Sequence, residues 1–326
     1  MATVEETGAA PAVAVEKPTS KVSLWRMLLR DRVAFGAAVV LALITLVALF
    51  GPVLLSDTAD DLDLREARRA PSLDHGVAGL LGTDPLGRSV LVRLVLAART
   101  TFSVAVPAVL IALVVGTLIG MWAGFHRGRR ETVAMRVADV IMSFPSLLMA
   151  VVVLFVFNPS AANIVAVLAV TRIPIYLRTA RAESAELSTR LFVDAARTFG
   201  TPARSIIRRH VFPVVLPTLL TVATLEFCFV MLSESSLSFL GIGIQPPDVS
   251  WGLMVAQGRT YLATAWWLSF FPGLCIVVTT VSATVLAAWA RLATDPAQRW
   301  RLTLPRSQRR RLRRADRLAA KRSEEL

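Results

Sequence analysis

The chain has 326 residues, 55% of them hydrophobic, and a mean hydropathy of +0.59. A soluble globular protein of this length is rarely so apolar, so the composition argues against the soluble fold classes. The 36 Lys and Arg residues exceed the 23 Asp and Glu residues and give a net charge of +13. In a soluble protein this charge would suggest a nucleic-acid partner, but the placement of the basic residues argues against one.

The first 32 residues are polar and precede the first long apolar run. Residues 1–20 are rich in Ala, Pro and Val and are expected to be disordered. Residues 25–32 (WRMLLRDR) have the pattern of a short basic amphipathic helix at the inner membrane surface. A polar segment of this length before an apolar run of about 23 residues is not typical of a cleaved signal peptide, so residues 1–32 are predicted to be a cytoplasmic N-terminal segment.

Six stretches are apolar enough to cross a membrane, since a helix needs about 20 apolar residues to span the hydrocarbon. The predicted spans are residues 33–55, 101–125, 132–157, 160–177, 211–240 and 265–290. The fourth is the weakest, because its apolar run is short and Arg172 and Pro174 lie near its end. The predicted fold is therefore all-α, with a polytopic membrane domain over residues 33–290.

The basic residues are concentrated in alternate loops. With the N-terminus inside the cell, residues 1–32, 125–136, 172–210 and 291–326 lie inside and hold 29 of the 36 Lys and Arg residues. The outer segments, 56–99 and 241–264, hold seven basic residues against eight acidic ones. This positive-inside bias predicts that both termini are cytoplasmic. The basic tail, 291–326, is expected to touch anionic membrane lipid through its Arg run at 299–322 rather than to bind nucleic acid.

The outer segment 56–99 has an acidic start, at 57–63, but no Gly or Glu at EF-hand positions supports a calcium site there. Farther on, Gly82-Thr83-Asp84-Pro85 is typical of a helix start, with Thr83 or Asp84 as the cap and Pro85 in the first turn. The helix that follows is expected to lie along the outer surface before the second span.

The cytoplasmic segment 183–213 has the pattern of two helices joined by a sharp turn. One helix is predicted up to Thr198, followed by Gly200 in the left-handed conformation in which helices commonly end. Thr201 is the predicted N-cap and Pro202 the first residue of a second helix, which runs to His210. On these residues alone, a docking element for a partner protein and an ordinary amphipathic connector are both open.

Two carboxylates, Glu226 and Glu234, lie inside the fifth predicted span. A carboxylate in the membrane is costly unless it faces protein or water, so both are candidates to line a water-filled pathway. For Glu234 the favoured alternative is a hydrogen-bonded group near the membrane edge. Its predicted partners are Ser233, Ser235 or Ser236.

The Gly- and Pro-rich stretch 241–252 is predicted to be an ordered, non-helical outer loop. Trp266 and Trp267, where the last span begins, are expected to anchor it at the membrane interface. Cys228 and Cys275 lie in apolar spans and are expected to be buried small side chains. The histidines, at 75, 126 and 210, are far apart and on different sides of the membrane, so no metal site is predicted.

Segment 183–213 resembles the cytoplasmic coupling motif of ABC-importer permeases. That motif is Glu-Ala-Ala, three residues, Gly, nine residues and Ile-x-Leu-Pro. The chain has Asp194-Ala195-Ala196, Gly200 and His210-Val211-Phe212-Pro213 at the same spacing. Residues 80–100, 234–259 and 266–278, with 25–36 and 139–150, are similar to the second, C-type permease of the dipeptide, oligopeptide and nickel family.

The resemblance implies a transport subunit of the bacterial inner membrane that moves peptides or related small solutes, with nickel chelates or another solute as the alternative. Its implied partners are a homologous permease in a heterodimer, two ATPase subunits that bind ATP and Mg, and an extracytoplasmic solute-binding protein. The implied ATPase-coupling residues are Asp194, Ala195, Ala196, Gly200, Thr201, Pro202, Arg204 and Arg208. Asp84, Arg88 and Trp251 are candidates for contact with the binding protein, although internal packing is favoured for Trp251.

The sequence has no G-x-x-x-x-G-K-[ST] loop, so the chain is predicted to have no ATPase site, no bound cofactor and no catalytic residues of its own. An ion-coupled secondary transporter is a rival interpretation, but it usually has inverted repeats, and no convincing repeat is present. A membrane scaffold or receptor is a second rival. Some positions depart from the family pattern, namely Ser89, Arg172, Thr284, Ala287 and Ala288.

Overall fold

The computed structural model describes residues 24–55, 63–72, 79–157 and 160–294. Within these ranges every regular element is a helix, apart from an isolated β-bridge between Thr83 and Ser89, so the predicted all-α fold is confirmed. Some predictions lie outside the described residues: the disorder of residues 1–20, the Arg run at 299–322, the acidic stretch at 57–62 and the histidine at position 75.

We number the helices in chain order. They are α1 (Leu24–Arg30), α2 (Arg32–Leu55), α3 (Val90–His126), α4 (Arg129–Met142), α5 (Ser146–Phe157), α6 (Ala161–Leu187), α7 (Leu191–Thr198), α8 (Ala203–Ile206), α9 (Phe212–Phe239), α10 (Trp251–Gly258) and α11 (Trp267–Thr294). A π-helical turn at Ile207–Val211 joins α8 to α9. Helix α1 lies where a short amphipathic helix was predicted, with Met27 buried and Trp25 64% exposed.

Five helices are long and apolar enough to cross a membrane. They are α2, α3, α6, α11 and the continuous rod Ala203–Phe239, which consists of α8, the π turn and α9. The pair α4–α5 passes the same test only together and is bent by 82° at its break. Six spans are obtained when the bent pair is counted as one.

The third predicted span is broken and the fourth is a regular helix, although the sequence indicates that the fourth is the weaker of the two. Helix α4 ends at Met142. The hydroxyl of its C-cap, Ser143, donates to the Val140 carbonyl at 2.7 Å, and Pro145 then separates α4 from α5. The residue before a proline is disfavoured in the α region, so the break falls there. The fourth span, predicted to be the weakest, is the regular 27-residue helix α6, which also contains Pro174.

Helix α3 begins at Val90, well before the predicted start of the second span at residue 101. The expectation of a separate surface helix is therefore wrong, because Val90, Leu94 and Ala97 are buried against the bundle. The cap also differs from the prediction. Ser89, a position that departs from the family pattern, caps α3 by accepting the Val92 N–H at 3.5 Å.

Helices α3 and α6 pack closely along a row of glycines on α3, at 116, 120 and 124. These glycines face successive carbonyls of α6, those of Ile173, Leu177 and Arg181, so the two helices run parallel. A Cβ atom on Gly116 would lie 2.7 Å from the Ile173 carbonyl oxygen. Small residues four apart allow membrane helices to approach in this way, and dispersion and packing then hold them together.

The buried side chains form two main clusters at opposite ends of α3 and α6. One surrounds Trp251 and Trp267, and we call this the α10 end of the bundle. The other surrounds Phe125, Val193 and Ile206, and we call it the α7 end. The rod Ala203–Phe239 reaches from the second cluster to the first, since Val211 and Val215 belong to the α7 end and Leu237 to the α10 end.

Candidate functional site

The turn between α7 and α8 closes at Gly200, which has the predicted left-handed conformation with a φ of +73°. The Gly200 N–H donates to the Arg197 carbonyl at 2.9 Å, and the Thr201 N–H donates to the Ala196 carbonyl at 3.0 Å. These two bonds form a Schellman motif, which satisfies the last carbonyls of α7 and sets the direction in which the chain leaves. A Cβ at position 200 would meet nothing within 4 Å, so the constraint on this residue is its backbone angle.

The second helix of this segment differs from the prediction at both ends. Thr201 takes part in the Schellman motif, and Pro202 occupies the N-cap position of α8 instead. The helix does not stop at His210 but continues through the π turn into α9, where the Phe212 N–H donates to the Ile207 carbonyl. Pro213 has no N–H, and the π turn shifts the bonding by one residue just before it, so the helix continues without a break.

Helix α7 buries one face and exposes the other. Val193 is fully buried in the α7-end cluster, whereas Leu191 is 87% exposed and Phe199, directly after the helix, is 88% exposed. Asp194 and Ala195 are exposed, and Ala196 is half-buried. The Asp194 carboxylate lies 3.3 Å from Arg197 in a surface pair, which contributes at most about 1 kcal/mol. The helix therefore presents two large apolar side chains beside a rigid turn.

Asp84 organises the opposite end of the bundle. Its carboxylate is 2% exposed and accepts hydrogen bonds from the Leu86 and Arg88 N–H groups, from Arg88 Nε at 2.8 Å and from Arg93 Nη1 at 2.6 Å. Arg93 also donates to Gln257 Oε1 at 3.1 Å and so joins α3 to α10. Together these groups line a pocket of about 320 Å³ that is open at the surface of this end of the bundle. Of the three candidates for contact with a partner, Arg88 alone lies half-exposed at this surface.

Sequence reasoning missed Arg93 and Gln257 as members of this site. The spacing of Asp84 and Arg88 by four residues is a local signal, and Arg93 follows five residues later in the first turn of α3. Gln257 is 164 residues away from Arg93, and no local pattern connects the two.

Trp251 is 2% exposed and lies inside the chain. Its Nε1 donates to the Leu94 carbonyl at 3.0 Å, and its backbone N–H donates to Thr101 Oγ1 at 3.2 Å. The candidate contact of Trp251 with a binding protein does not fit this burial, and the favoured alternative of internal packing does. Trp267 also differs from its prediction as an interface anchor, since it is buried and donates to the Thr83 carbonyl at 3.2 Å. Trp266, beside it, is 51% exposed.

Glu234 is fully buried at the α10 end. Ser238 donates to its carboxylate at 2.7 Å and Ser235 at 3.4 Å. Of the predicted serine partners, Ser233 and Ser236 bond to carbonyls of their own helix instead. Ser238 also accepts the N–H of Ile244 at 3.0 Å, so this carboxylate network holds the loop after α9. Such enclosure fits the hydrogen-bonded interpretation of Glu234 and leaves no open pathway at its carboxylate.

Glu226 lies in the middle of the rod, 4% exposed, with Arg172 Nη1 at 3.7 Å from its Oε2. Arg172 also donates to Ser146 Oγ at 3.3 Å, at the start of α5, and its guanidinium lies over the Phe229 ring at 5.7 Å. This arginine is the departure from the family pattern that made the fourth span look weak. It places a positive charge beside a buried carboxylate, so the two unusual residues offset each other.

The departures near the end of α11 pack against the rod. The Thr284 hydroxyl lies 3.7 Å from the sulfur of Cys228, and Ala287 is 1% exposed. Cys228 is buried, as predicted, and Cys275 is half-buried. Among the described residues, no three His, Cys, Asp or Glu side chains come close enough together to hold a metal ion.

Comparisons with known proteins agree with a membrane protein built from several spanning helices. Residues 116–299 match the family model of the binding-protein-dependent transport system inner membrane component. Residues 22–71 match the N-terminal transmembrane domain of oligopeptide transport permease C.

Three similar proteins illustrate the range of relatives. The di/tripeptide transport system permease DppC of Pseudomonas aeruginosa is 34% identical over 86% of this chain and 93% of its own length. The dipeptide transport system permease DppC of Alkalihalophilus pseudofirmus is 30% identical over 86% of this chain and 92% of its own. The glutathione transport system permease GsiD of Escherichia coli is 32% identical over 83% and 89%.

Proposed function

Because this chain belongs to the inner-membrane permease family of binding-protein-dependent transport systems, as a C-type subunit, we propose that it moves peptides into the cell when partner ATPases bind ATP. The substrate class follows from relatives that transport dipeptides, tripeptides and glutathione. A nickel chelate or another small solute is the alternative substrate of the same transporter.

The exposed surface of α7 is the observation that carries the proposal. Leu191 and Phe199 are each almost fully exposed on a segment that is charged and predicted to lie outside the membrane. Apolar side chains of this size on a short helix fit a hydrophobic groove on a partner. We assign this groove to an ATPase subunit, which also holds the ATP and Mg that this chain has no loop to bind.

The rod Ala203–Phe239 connects the proposed ATPase-docking segment to the membrane-spanning part of the chain. Its 37 residues extend about 55 Å at 1.5 Å per residue, and the π turn keeps the helix continuous past Pro213. A movement of the turn at Gly200 therefore displaces Glu226 and the α10 end with it. The two Schellman bonds fix the direction in which the chain passes from α7 to the rod.

At the opposite end, the pocket of Asp84, Arg88 and Gln257 is the proposed contact for an extracytoplasmic solute-binding protein. The side chain of Arg88 is 26% exposed, so an acidic group of that protein can reach it. The internal bonds of Asp84 hold Arg88 in position, which reduces the entropy lost on docking.

The positive-inside bias supports the proposed topology, in which the α7 end and both termini are cytoplasmic and the α10 end faces the binding protein. A homologous permease completes the translocation pathway as the second half of a heterodimer. An ion-coupled transporter is a weaker candidate, because it needs carboxylates that are free to bind an ion, and here Glu226 faces Arg172 and Glu234 faces serine hydroxyls.

Reconstitution tests the proposal. The heterodimer is placed in liposomes with its two ATPases and its binding protein, and uptake of labelled dipeptides, tripeptides, glutathione and a nickel–histidine complex is measured. We expect uptake of at least one peptide that needs ATP and the binding protein. If only the nickel complex were taken up, the proposed substrate class would change from peptides to metal chelates. Uptake driven by an ion gradient without ATP, or no uptake at all, would overturn the proposal in favour of a secondary transporter or a receptor.

A further inference from the structure

A pocket of about 700 Å³ opens at the α7 end between α3 and the rod. Its residues are Leu118, Met121, Trp122, His126, Arg204, Ile207, Arg208 and Phe212. Five of them are apolar or aromatic and three are basic, and the lining contains no acidic residue. Leu118 is 66% exposed and Trp122 is 43% exposed, so the apolar wall is open at the surface of the bundle.

The arginines at this end of the bundle fall into two groups by charge pairing. Four of them each meet a carboxylate within 4 Å, namely Arg178, Arg181, Arg190 and Arg197, whereas Arg129, Arg130 and Arg209 have no ion pair among the described residues. Arg204 and Arg208 are exposed, and neither has such a carboxylate among the residues that the structure describes. They lie four residues apart on α8 and the π turn and line the same pocket, so the site concentrates unneutralised positive charge.

His126 adds a third polar group. Its Nδ1 lies 2.9 Å from the Trp122 carbonyl, which leaves Nε2 as the ring nitrogen available to a ligand. The Arg130 guanidinium also lies over the Trp122 ring, 5.1 Å from its centre. An aromatic ring beside basic groups, next to an apolar wall, is typical of the level where a membrane helix meets the headgroup layer.

We propose that this pocket binds the phosphate of an anionic phospholipid, with an acyl chain against Leu118 and Phe212. Its ligands are Arg204 and Arg208, for which the family resemblance implies an ATPase-coupling role instead. Basic pockets between membrane helices on the cytoplasmic side bind such headgroups. Inorganic phosphate would leave the apolar wall in water, and the choline of a zwitterionic lipid would bring a cation to three basic groups. The inference rests on the proposed orientation, which puts the α7 end at the cytoplasmic headgroup layer.

A lipid in this pocket would touch both α3 and the rod that carries ATPase docking into the membrane. It would therefore hold the π turn against α3 without occupying the exposed apolar face of α7. The site is distinct from the Arg run at 299–322, which lies outside the described residues.

The test uses the whole transporter in a zwitterionic detergent and measures the thermal midpoint of this subunit. Added probes are short-chain phosphatidylglycerol, phosphatidylcholine and inorganic phosphate. We expect a saturable rise of a few degrees with phosphatidylglycerol and a much smaller rise with the other two, because a ligand stabilises the state that binds it. An equal rise with phosphatidylcholine or with inorganic phosphate would overturn the assignment to an anionic lipid.

Matched variants separate this site from a general effect of charge. Arg208→Gln should raise at least tenfold the phosphatidylglycerol concentration that gives half of the rise in thermal midpoint. Arg209→Gln removes the same charge from the same turn but lies outside the pocket lining, so it should leave that concentration unchanged. Leu118→Trp, which fills the open wall without changing charge, should also weaken the response. Equal responses in the Arg208 and Arg209 variants would overturn the proposal.

A partner protein is the alternative occupant of the pocket. If Arg208→Gln released the ATPase subunits while the lipid response stayed at the wild-type level, the two arginines would be protein contacts and the inference would be wrong. Failure of ATP-driven uptake with a normal, Arg208-dependent lipid response would instead reject the proposed function and leave the lipid site standing.

Discussion

The two ends of the bundle differ in which side chains they bury and which they expose. At the α10 end, Asp84, Glu234 and Trp251 are buried and bonded within the chain. At the α7 end, Leu191 and Phe199 are exposed and Arg204 and Arg208 have no carboxylate partner among the described residues. Bonds within the chain hold the buried polar groups of the first end, and the second end carries the surfaces that we propose to contact the ATPase and the lipid.

The largest expected effect is at the α10 end. Asp84→Ala should lower the free energy of unfolding by about 3–5 kcal/mol, because it leaves Arg88 and Arg93 without their common partner in a mostly buried site. Unfolding of the reconstituted subunit in SDS is the measurement. Asp139→Ala is the control, since Asp139 pairs with Arg178 where both side chains are more than 40% exposed, and its loss should cost less than about 1 kcal/mol. Equal losses in the two variants would remove the contrast between the ends.

The middle of the rod is expected to behave as the α10 end does. Arg172→Leu should cost about 3 kcal/mol, because Glu226 is then buried without an opposite charge. The double variant Arg172→Leu with Glu226→Gln should recover most of that loss in the same SDS titration. If the double variant were as unstable as the sum of the two single variants, the 3.7 Å approach would contribute nothing to stability.

An intermediate loss of stability is expected when a buried hydrogen bond is removed and the side chain stays aromatic. Trp251→Phe keeps an aromatic group in the core but leaves the Leu94 carbonyl without its indole donor, at a cost of about 2 kcal/mol. Trp266→Phe makes the same change in a side chain that is 51% exposed and should be nearly neutral. Similar thermal midpoints for the two variants would show that the α10 end does not depend on these internal bonds.

Gly200 tests the stiffness of the turn at the α7 end. Gly200→Ala should cost about 1–2 kcal/mol through its left-handed backbone angle and should reduce ATP-coupled transport severalfold. Gly241→Ala introduces the same left-handed strain, at a φ of +80° in the Schellman turn after α9 and far from α7, and should leave coupling unchanged. Gly200→Asn tolerates the left-handed angle and should restore transport. Unchanged coupling in Gly200→Ala would reject the assignment of the turn to ATPase coupling.

The smallest effect on folding is expected at the exposed face of α7. Leu191→Ser should change the stability of the subunit by less than about 0.5 kcal/mol, because the side chain is 87% exposed in the chain by itself. The same change should weaken co-purification of the ATPase subunits by at least tenfold. Val193→Ser is the converse control, since Val193 is fully buried, and it should lower stability first. A normal yield of ATPase subunits with Leu191→Ser would move the docking surface elsewhere.

Much of this arrangement is visible in local sequence patterns. The left-handed Gly200 follows from capping chemistry, and the all-α fold and its family follow from apolar runs and a motif of fixed spacing. The predicted start of α3 and the predicted end of the second cytoplasmic helix are wrong. Arg93 lies in the first turns of α3 because Asp84 pairs with it, and the helix continues past Pro213 because the π turn precedes that proline.

The sequence by itself determined the quantities that depend on neighbours along the chain: the number of apolar stretches long enough to span a membrane, the charge bias between their ends and the turn at Gly200. Tertiary structure decided the quantities that depend on distant residues. Examples are the ion pair of Arg172 with Glu226 and the close packing of Gly116 on α6. The physical reason is that a buried charge or a missing side chain is favourable only beside a particular partner, and periodicity along one helix does not specify that partner.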